Sequence, residues 1–398
     1  MTNPKLRFAQ NADWRFRRLN EVVEINPSAE TLPEEFFYID LESVKSGRLL
    51  SKNLIKRTEA PSRAQRLLKN RDVLFQMVRP YQQNNFFVEK EEDFPWVSST
   101  GYAQLRSSRS DPKFVYYALH QSSFLAEVLN RCTGGTYPAI NAYDLGTISI
   151  EIPQLSEQRK LADFFSTLDE KIVLAERKLT ALQTLKSGLM QKIFSREIRF
   201  KREDGSSFLD WIDVTVGDVA ETCGGGTPST GNEDFWGGDI QWLTPTEINS
   251  KYVHASKRTI TDAGLKNSSA KLLPKEALVL TTRATVGACS INQFEGRVCT
   301  NQGFQSLICN AKVIPEFLYY VICSEKFQKA MLTNASGSTF LELSPKNLRK
   351  LPIEIPCQQE QRKIVAVLSE LDKKIVIAEK HIDLLKLQKQ AFMQQMFV

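Results

Sequence analysis

Apolar residues recur with an alternating four–three step along two stretches of the chain. In the first they fall at Leu161, Phe165, Leu168, Ile172, Ala175, Leu179 and Leu182, then at Leu189 and Ile193. In the second they fall at Ile364, Leu368, Leu371, Ile375, Ala378, Ile382 and Leu385, then at Phe392 and Met396. That spacing is the seam of a coiled coil. The two stretches are copies of one another. Residues 151–195 align without a gap to residues 354–398, with 20 identities in 45 positions. Each copy holds one proline, Pro153 or Pro356, followed within a few residues by Glu-Gln-Arg-Lys, which reads as a helix start. Ser156 is placed to cap the first of them. Lysine interrupts both seams at the equivalent place, Lys186 and Lys389. A polar seam residue either fixes register or snorkels to water, and the pattern leaves both readings open.

About 38 helical residues make a rod of about 57 Å. A single seam would leave a long apolar stripe in water, so the copies are expected to pack on each other. The link from Ser195 to Trp211 is some 15 residues and reaches about 50 Å at most. An antiparallel pair lets the second globular region begin where the first helix stops, so the two regions are expected at opposite ends of the rod.

The duplication extends into the regions that precede each helix. Phe114–Leu119 (FVYYAL) matches Phe317–Ile322 (FLYYVI), and Gly134–Leu145 matches Gly337–Leu348. With small gaps, DVLFQMVR ending at Arg79 pairs with ALVLTTR ending at Arg283, and Trp14 pairs with Trp211. Short β-branched and aromatic runs such as VLFQMV, YAQLR, ALVLTT and FQSLIC predict strands. FVYYALHQSSFLAEVLN and EFLYYVICSEKFQKAMLT predict amphipathic helices. The expected fold is α+β: globular regions over 1–150 and 196–353, and long helical segments over 151–195 and 354–398.

Composition narrows the class. A chain of 398 residues, 42% apolar and 25% charged, suits two ordinary soluble domains. No apolar run reaches the roughly 20 residues of a membrane span, and the N-terminus lacks a signal-peptide core, so a cytoplasmic protein with no membrane partner is expected. Seven cysteines without a C-x-x-C pair fit free thiols in a reducing compartment. The net charge of +6 permits a nucleic-acid partner without requiring one. Two basic clusters stand out: nine Lys and Arg residues against one acid between Lys45 and Arg71, including Lys52, Lys56 and Arg57, and REIRFKR at 196–202. Each is a solvated face or a phosphate contact.

Motifs of catalysis are missing. The three histidines have no zinc spacing, and there is no P-loop, no nucleophile elbow and no amino-methyltransferase Asn/Asp-Pro-Pro-aromatic stretch. What remains is polar loops of the kind that reach base edges. In the first half these are Arg79, Tyr81, Gln82, Gln83 and Asn84, with Gly135, Thr136 and Tyr137 in a glycine-rich turn. In the second half they are Thr227, Ser229, Thr282, Arg283, Thr285, Asn301 and Gln302, with Ser338 and Thr339 in the matching turn.

The twice-repeated P-x-x-x-E-Q-R-K…LD-x-K-I helix resembles the conserved regions of the specificity subunits of type I restriction–modification systems. Gly224–Ile248 (GGGTPSTGNEDFWGGDIQWLTPTEI) is similar to the opening of many of that family's target-recognition domains. The first half departs from this form near Asn26. The resemblance implies a non-catalytic subunit with no cofactor of its own. It implies double-stranded DNA read as two half-sites, two methyltransferase (M) subunits and, in the full complex, restriction (R) subunits. The partners would use S-adenosylmethionine, ATP and Mg, and the rod would measure the unread spacer, at most about 17 base pairs. On the residues alone, a two-lobed scaffold that reads no DNA and a DNA-modifying enzyme with an unfamiliar site stay open.

Overall fold

The computed structural model describes residues 4–8, 14–28, 31–90, 92–337 and 341–397. The chain divides into two compact units, Met1–Arg177 with Glu379–Val398, and Lys178–Ala378. Each unit holds one globular region and complementary halves of two long helices, Leu155–Phe194 and Gln358–Met396. Among the described residues no helix is long and apolar enough to cross a membrane.

The first unit is α+β. One four-stranded sheet runs Val23–Ile25, Tyr102–Ser107, Val73–Gln76, Phe86–Phe87, all antiparallel. A second runs Asn53–Lys56, Glu35–Ile39, Trp96–Ser99, Ala64–Leu68, with one parallel pairing, between Glu35–Ile39 and Trp96–Ser99. Helix Pro112–Ala118 starts where Asp111 accepts the backbone N–H groups of Lys113 and Phe114, with proline at a position whose missing N–H costs nothing. Arg15–Arg18 pairs with Ser149–Ile152, which ties the region's entry to the strand that leads into the first long helix. The second unit repeats the plan. Ile212–Thr215 pairs with Pro352–Ile355, and Ala220–Gly224, Phe304–Cys309, Leu278–Arg283 and Thr285–Asn292 are neighbours in a five-stranded sheet.

Within each unit the two helix segments run antiparallel. In the first, Leu161, Phe165 and Leu168 are buried with Met396 and Phe397, while Asp169 pairs with Lys389 and Glu176 with Lys386. In the second, Met190 and Ile193 are buried with Ile364 and Leu368, while Lys186 pairs with Asp372. Ile172, Leu371, Ile382 and Leu385 are buried; Leu179, Leu182 and Ile375 are half-buried. The heptad assignment therefore marks the covered face. The seam lysines are ion-paired rather than merely snorkelling.

The Glu-Gln pair at each helix start turns out to be buried, and its work is to join helix to globule. Gln158 Oε1 accepts the Asp111 N–H at 2.9 Å, and its Nε2 donates to the Pro153 carbonyl at 2.8 Å. Gln361 repeats this with the Ile314 N–H at 2.9 Å and the carbonyls of Pro356 and Lys312 at 2.9 and 3.0 Å. Glu157 takes Arg7, and Glu360 takes Arg199 through two bonds of 2.8 and 3.0 Å. Two expectations are corrected here. Ser156 lies inside the first helical turn, and the Gln154 carbonyl, not a serine cap, accepts the N–H groups of Glu157 and Gln158. In the 196–202 cluster, Arg196 is bound to Glu354 and Arg199 to Glu360, so these arginines brace the fold instead of waiting for phosphate.

Candidate nucleic-acid interface

Strand Val73–Gln76 leaves the first unit's sheet into a tight loop. Arg79 and Gln83 both take left-handed backbone, φ 54° and 51°, around a short 3-10 turn at Pro80–Gln82. Such conformations cost on the order of 1 kcal/mol or more for a non-glycine residue. A buried polar anchor offsets that cost. Gln76, only 1% exposed, donates its N–H to Asn85 Oδ1 at 2.9 Å and its Nε2 to Gln82 Oε1 at 2.8 Å, and its Oε1 accepts the Asn84 N–H at 2.9 Å. Asn85 Nδ2 lies 3.5 Å from His120 Nε2, and His120 Nδ1 is 2.7 Å from the Tyr116 carbonyl. Burial pushes the His120 pKa down to about 4, against the opposing pull of the Tyr116 carbonyl. The ring is therefore neutral, with Nδ1–H donating to Tyr116 and Nε2 accepting from Asn85.

A second loop is stitched to the first. Val78 and Ala139 form a bridge, Arg79 N–H donates to the Pro138 carbonyl at 2.7 Å, and Ile140 N–H donates to Met77 at 3.1 Å. This brings Gly135, Thr136 and Tyr137, all exposed, beside the Arg79 loop. The Arg79 guanidinium lies 4.2 Å from the Tyr137 ring centroid. Tyr81 is 51% and Tyr137 61% exposed. Gln82 Oε1 and Asn84 Oδ1 are committed, to Gln76 and to the Ser46 N–H.

The second unit builds the same stitch from different side chains. Arg283 bridges Glu342, the repeat partner of Ala139, and Ala284 N–H donates to the Leu341 carbonyl at 2.9 Å. The equivalent of Arg79 is thus Ala284, also left-handed at φ 63°, and the alignment of Arg79 with Arg283 is corrected by one residue. Thr282 N–H donates to the Gly303 carbonyl at 2.8 Å, which brings in the turn of Asn301 and Gln302. The Thr227 hydroxyl donates to Gln302 Oε1. The glycine run before it is required by close approach: a Cβ on Gly225 would stand 2.0 Å from the Asn301 carbonyl oxygen, and one on Gly226 2.3 Å from the Ala270 nitrogen.

The candidates separate into groups. Arg79, Tyr81, Gln82, Gln83, Asn84 and Gly135–Tyr137 converge in the first unit; in the second, Arg283 and Thr285 flank the position equivalent to Arg79, and the turn of Asn301 and Gln302, with Thr227 bonded to it, adjoins them through Gly303. Thr282 is 3% exposed with both backbone groups in the ladder, so it supports the loop and does not reach out of it. Ser229 is exposed and its carbonyl accepts the Trp236 indole N–H. Ser338 and Thr339 lie outside the described residues. Of the first basic cluster, Lys52 pairs with Glu92 at 2.6 Å, Arg48 with Glu176, Arg71 with Asp111, and Arg57 donates to the Leu32 carbonyl; Lys56 is exposed. Sequence reasoning passed over Gln76. One signal was present: Gln76 is a lone amide inside the apolar run VLFQMV. Among the described residues no cluster of His, Cys, Asp and Glu is arranged to hold a metal ion.

A family model described as the type I restriction modification DNA specificity domain matches residues 11–184 and again residues 209–387. The chain is 36% identical over 197 residues to the type I restriction enzyme MjaIX specificity subunit of Methanocaldococcus jannaschii, which covers 48% of this chain and 45% of that protein. The chain thus matches about half the length of that relative. It is 22% identical to the HindI specificity subunit of Haemophilus influenzae, covering 89% of this chain and 90% of the relative. In fold it is similar to a chain from a solved type I restriction–modification system (TM-score 0.61, 24% identity, 96% of this chain and 97% of that one). It is also similar to the S subunit from M. genitalium (TM-score 0.58, 18% identity, 100% and 99%).

Proposed function

The chain belongs to the family of type I restriction–modification DNA specificity proteins, and from that premise we propose that it is the specificity subunit of such a system. It reads a bipartite duplex target, one globular region per half-site. One observation carries this reading: the same two-loop stitch is built in both units, through Ala139 in one and Glu342 in the other, while the side chains it presents differ. A shared scaffold with unlike contact residues is what reading two unlike half-sites requires.

The long helices set the unread spacer. A 40-residue helix is about 60 Å long, or about 18 base pairs at about 3.4 Å each, as an upper bound. Two M subunits dock on helix faces that the pairing leaves open. In the first unit these carry Leu174, Leu384 and Leu387, and in the second Leu185, Val376 and Ile377, all exposed. Large apolar side chains left in water along a helix mark a protein contact. Methylation and cleavage belong to the M and R partners, with S-adenosylmethionine, ATP and Mg, in the cytoplasm.

Mobility shifts of the full chain assembled with its M subunit, at several salt concentrations, test the proposal. Sequence-selective binding of a split site, weakening steeply with salt, is expected. Equal affinity for every duplex would leave a scaffold that reads no DNA. Methyl transfer by the purified chain without M would overturn the non-catalytic assignment.

A further inference from the structure

We propose that Arg79 reads a guanine in the half-site of the first globular region, with Tyr137 as the plate that holds its guanidinium in plane. This rests on the proposed function and selects one reader and one base within it.

The backbone at Arg79 does not need an arginine. The equivalent left-handed position in the second unit is Ala284, which makes the same hydrogen bond to the facing loop without a long side chain. The side chain of Arg79 is therefore there for something other than the stitch. It is also not spent within the protein. Arg106 grips Asp72 through two nitrogens at 2.9 and 2.8 Å, and Arg199 grips Glu360 in the same way. The guanidinium of Arg79, a half-buried residue, has no hydrogen-bond or ion-pair partner among the described residues; its contact is the Tyr137 ring.

A guanidinium stacked on a ring has one face covered and its N–H donors pointing outward in the plane. Two parallel donors match two adjacent acceptors. Guanine offers them as O6 and N7 in the major groove, whereas adenine sets a donor beside N7 and thymine offers one acceptor. The loop beneath is fixed by Gln76, Asn85 and the Pro138 carbonyl, so the backbone that carries the fork is set before DNA arrives. Pre-organisation lowers the ordering cost that a free arginine would bear on binding. A phosphate is the competing acceptor, and it would carry no base preference.

The test uses the full chain assembled with its M subunit and a panel of duplexes with each base pair of the target replaced in turn. The wild type is expected to prefer guanine at one position of the first half-site by on the order of 10- to 100-fold. Arg79→Ala should erase that preference and leave the other positions unchanged. Arg79→Lys keeps the charge but loses the fork, so it should also lose the preference with the salt slope intact. Tyr137→Phe should keep it and Tyr137→Ala should weaken it. Retained reading of the second half-site by the same variants shows that they are folded. A uniform loss of affinity in Arg79→Ala, with the salt slope reduced by about 1, would make Arg79 a phosphate contact and overturn the assignment. So would unchanged selectivity at every position of the first half-site. A wild-type complex with no base preference anywhere would overturn the proposed function, and this assignment with it.

Discussion

Lys389 Nζ stands 2.5 Å from Asp169 Oδ1, across the seam between the two long helices. The other carboxylate oxygen of Asp169 accepts the Tyr117 hydroxyl at 2.8 Å. The second unit repeats the group with partners exchanged: Lys186 lies 2.6 Å from Asp372, whose other oxygen accepts the Tyr320 hydroxyl. In the first unit the lysine comes from the second helix and the aspartate from the first; in the second unit the order is reversed. A parallel pairing of the two copies in register would set Lys186 against Lys389 and Asp169 against Asp372. The charges therefore specify direction as well as register. Lys251 reinforces the second group, with Nζ 2.8 Å from both the Tyr320 hydroxyl and Ser369.

Removing one partner should expose this. Lys389→Ala is expected to cost about 1–2 kcal/mol, because Asp169 is left half-buried without its cation. Lys389→Glu should cost more, and adding Asp169→Lys should recover part of the loss. Urea unfolding midpoints of the wild type, Lys389→Glu, Asp169→Lys and the double variant measure the cycle.

The buried amides at the helix starts should be costlier still. Gln361→Leu strands the Ile314 N–H and two carbonyls, and about 2–3 kcal/mol is expected. Gln158→Leu strands two groups and should cost less. Thermal unfolding should rank them in that order, each kcal/mol moving Tm by about 2–4 °C for a unit of this size.

His120 makes stability depend on pH. Burial holds its folded pKa at about 4, below the ordinary value of 6.5, so the unfolded chain binds the proton more readily. The stability this group preserves is complete above about pH 6.5 and is lost as pH falls toward 4, about 3 kcal/mol in all. Unfolding free energies at pH 7.5 and 5.0 should converge in His120→Gln relative to wild type. An identical pH slope in the two proteins would contradict the assignment.

Gln76→Met should damage one half-site only. It removes the Gln82 and Asn84 anchors, so the left-handed turn loosens and reading of the first half-site falls while that of the second persists. Base-substitution panels check this directly; equal loss in both half-sites would argue against separate reading.

Shortening the rod should change the spacer. Deleting a matched heptad from each helix, 175–181 and 378–384, removes about 10 Å, or about three base pairs. Spacer-length series in binding assays should show a shorter optimum. An unchanged optimum would rule out the ruler.

The duplicated heptads, the α+β alternation and the antiparallel sense of the helices were legible in the residues themselves. Side-chain periodicity is a property of neighbours three and four apart, and a link of some 15 residues limits where the chain can go. Which polar side chains are free to meet DNA was not legible. Asn84 is bonded to Ser46, Asn85 to His120 and Arg199 to Glu360, across 38, 35 and 161 residues of chain. A loop amide or a basic cluster looks the same in sequence whether its hydrogen bonds end in water or in a distant strand. Folding brings those partners within 3.5 Å, and only then does the Arg79 guanidinium stand out as unpaired and Arg199 as a brace.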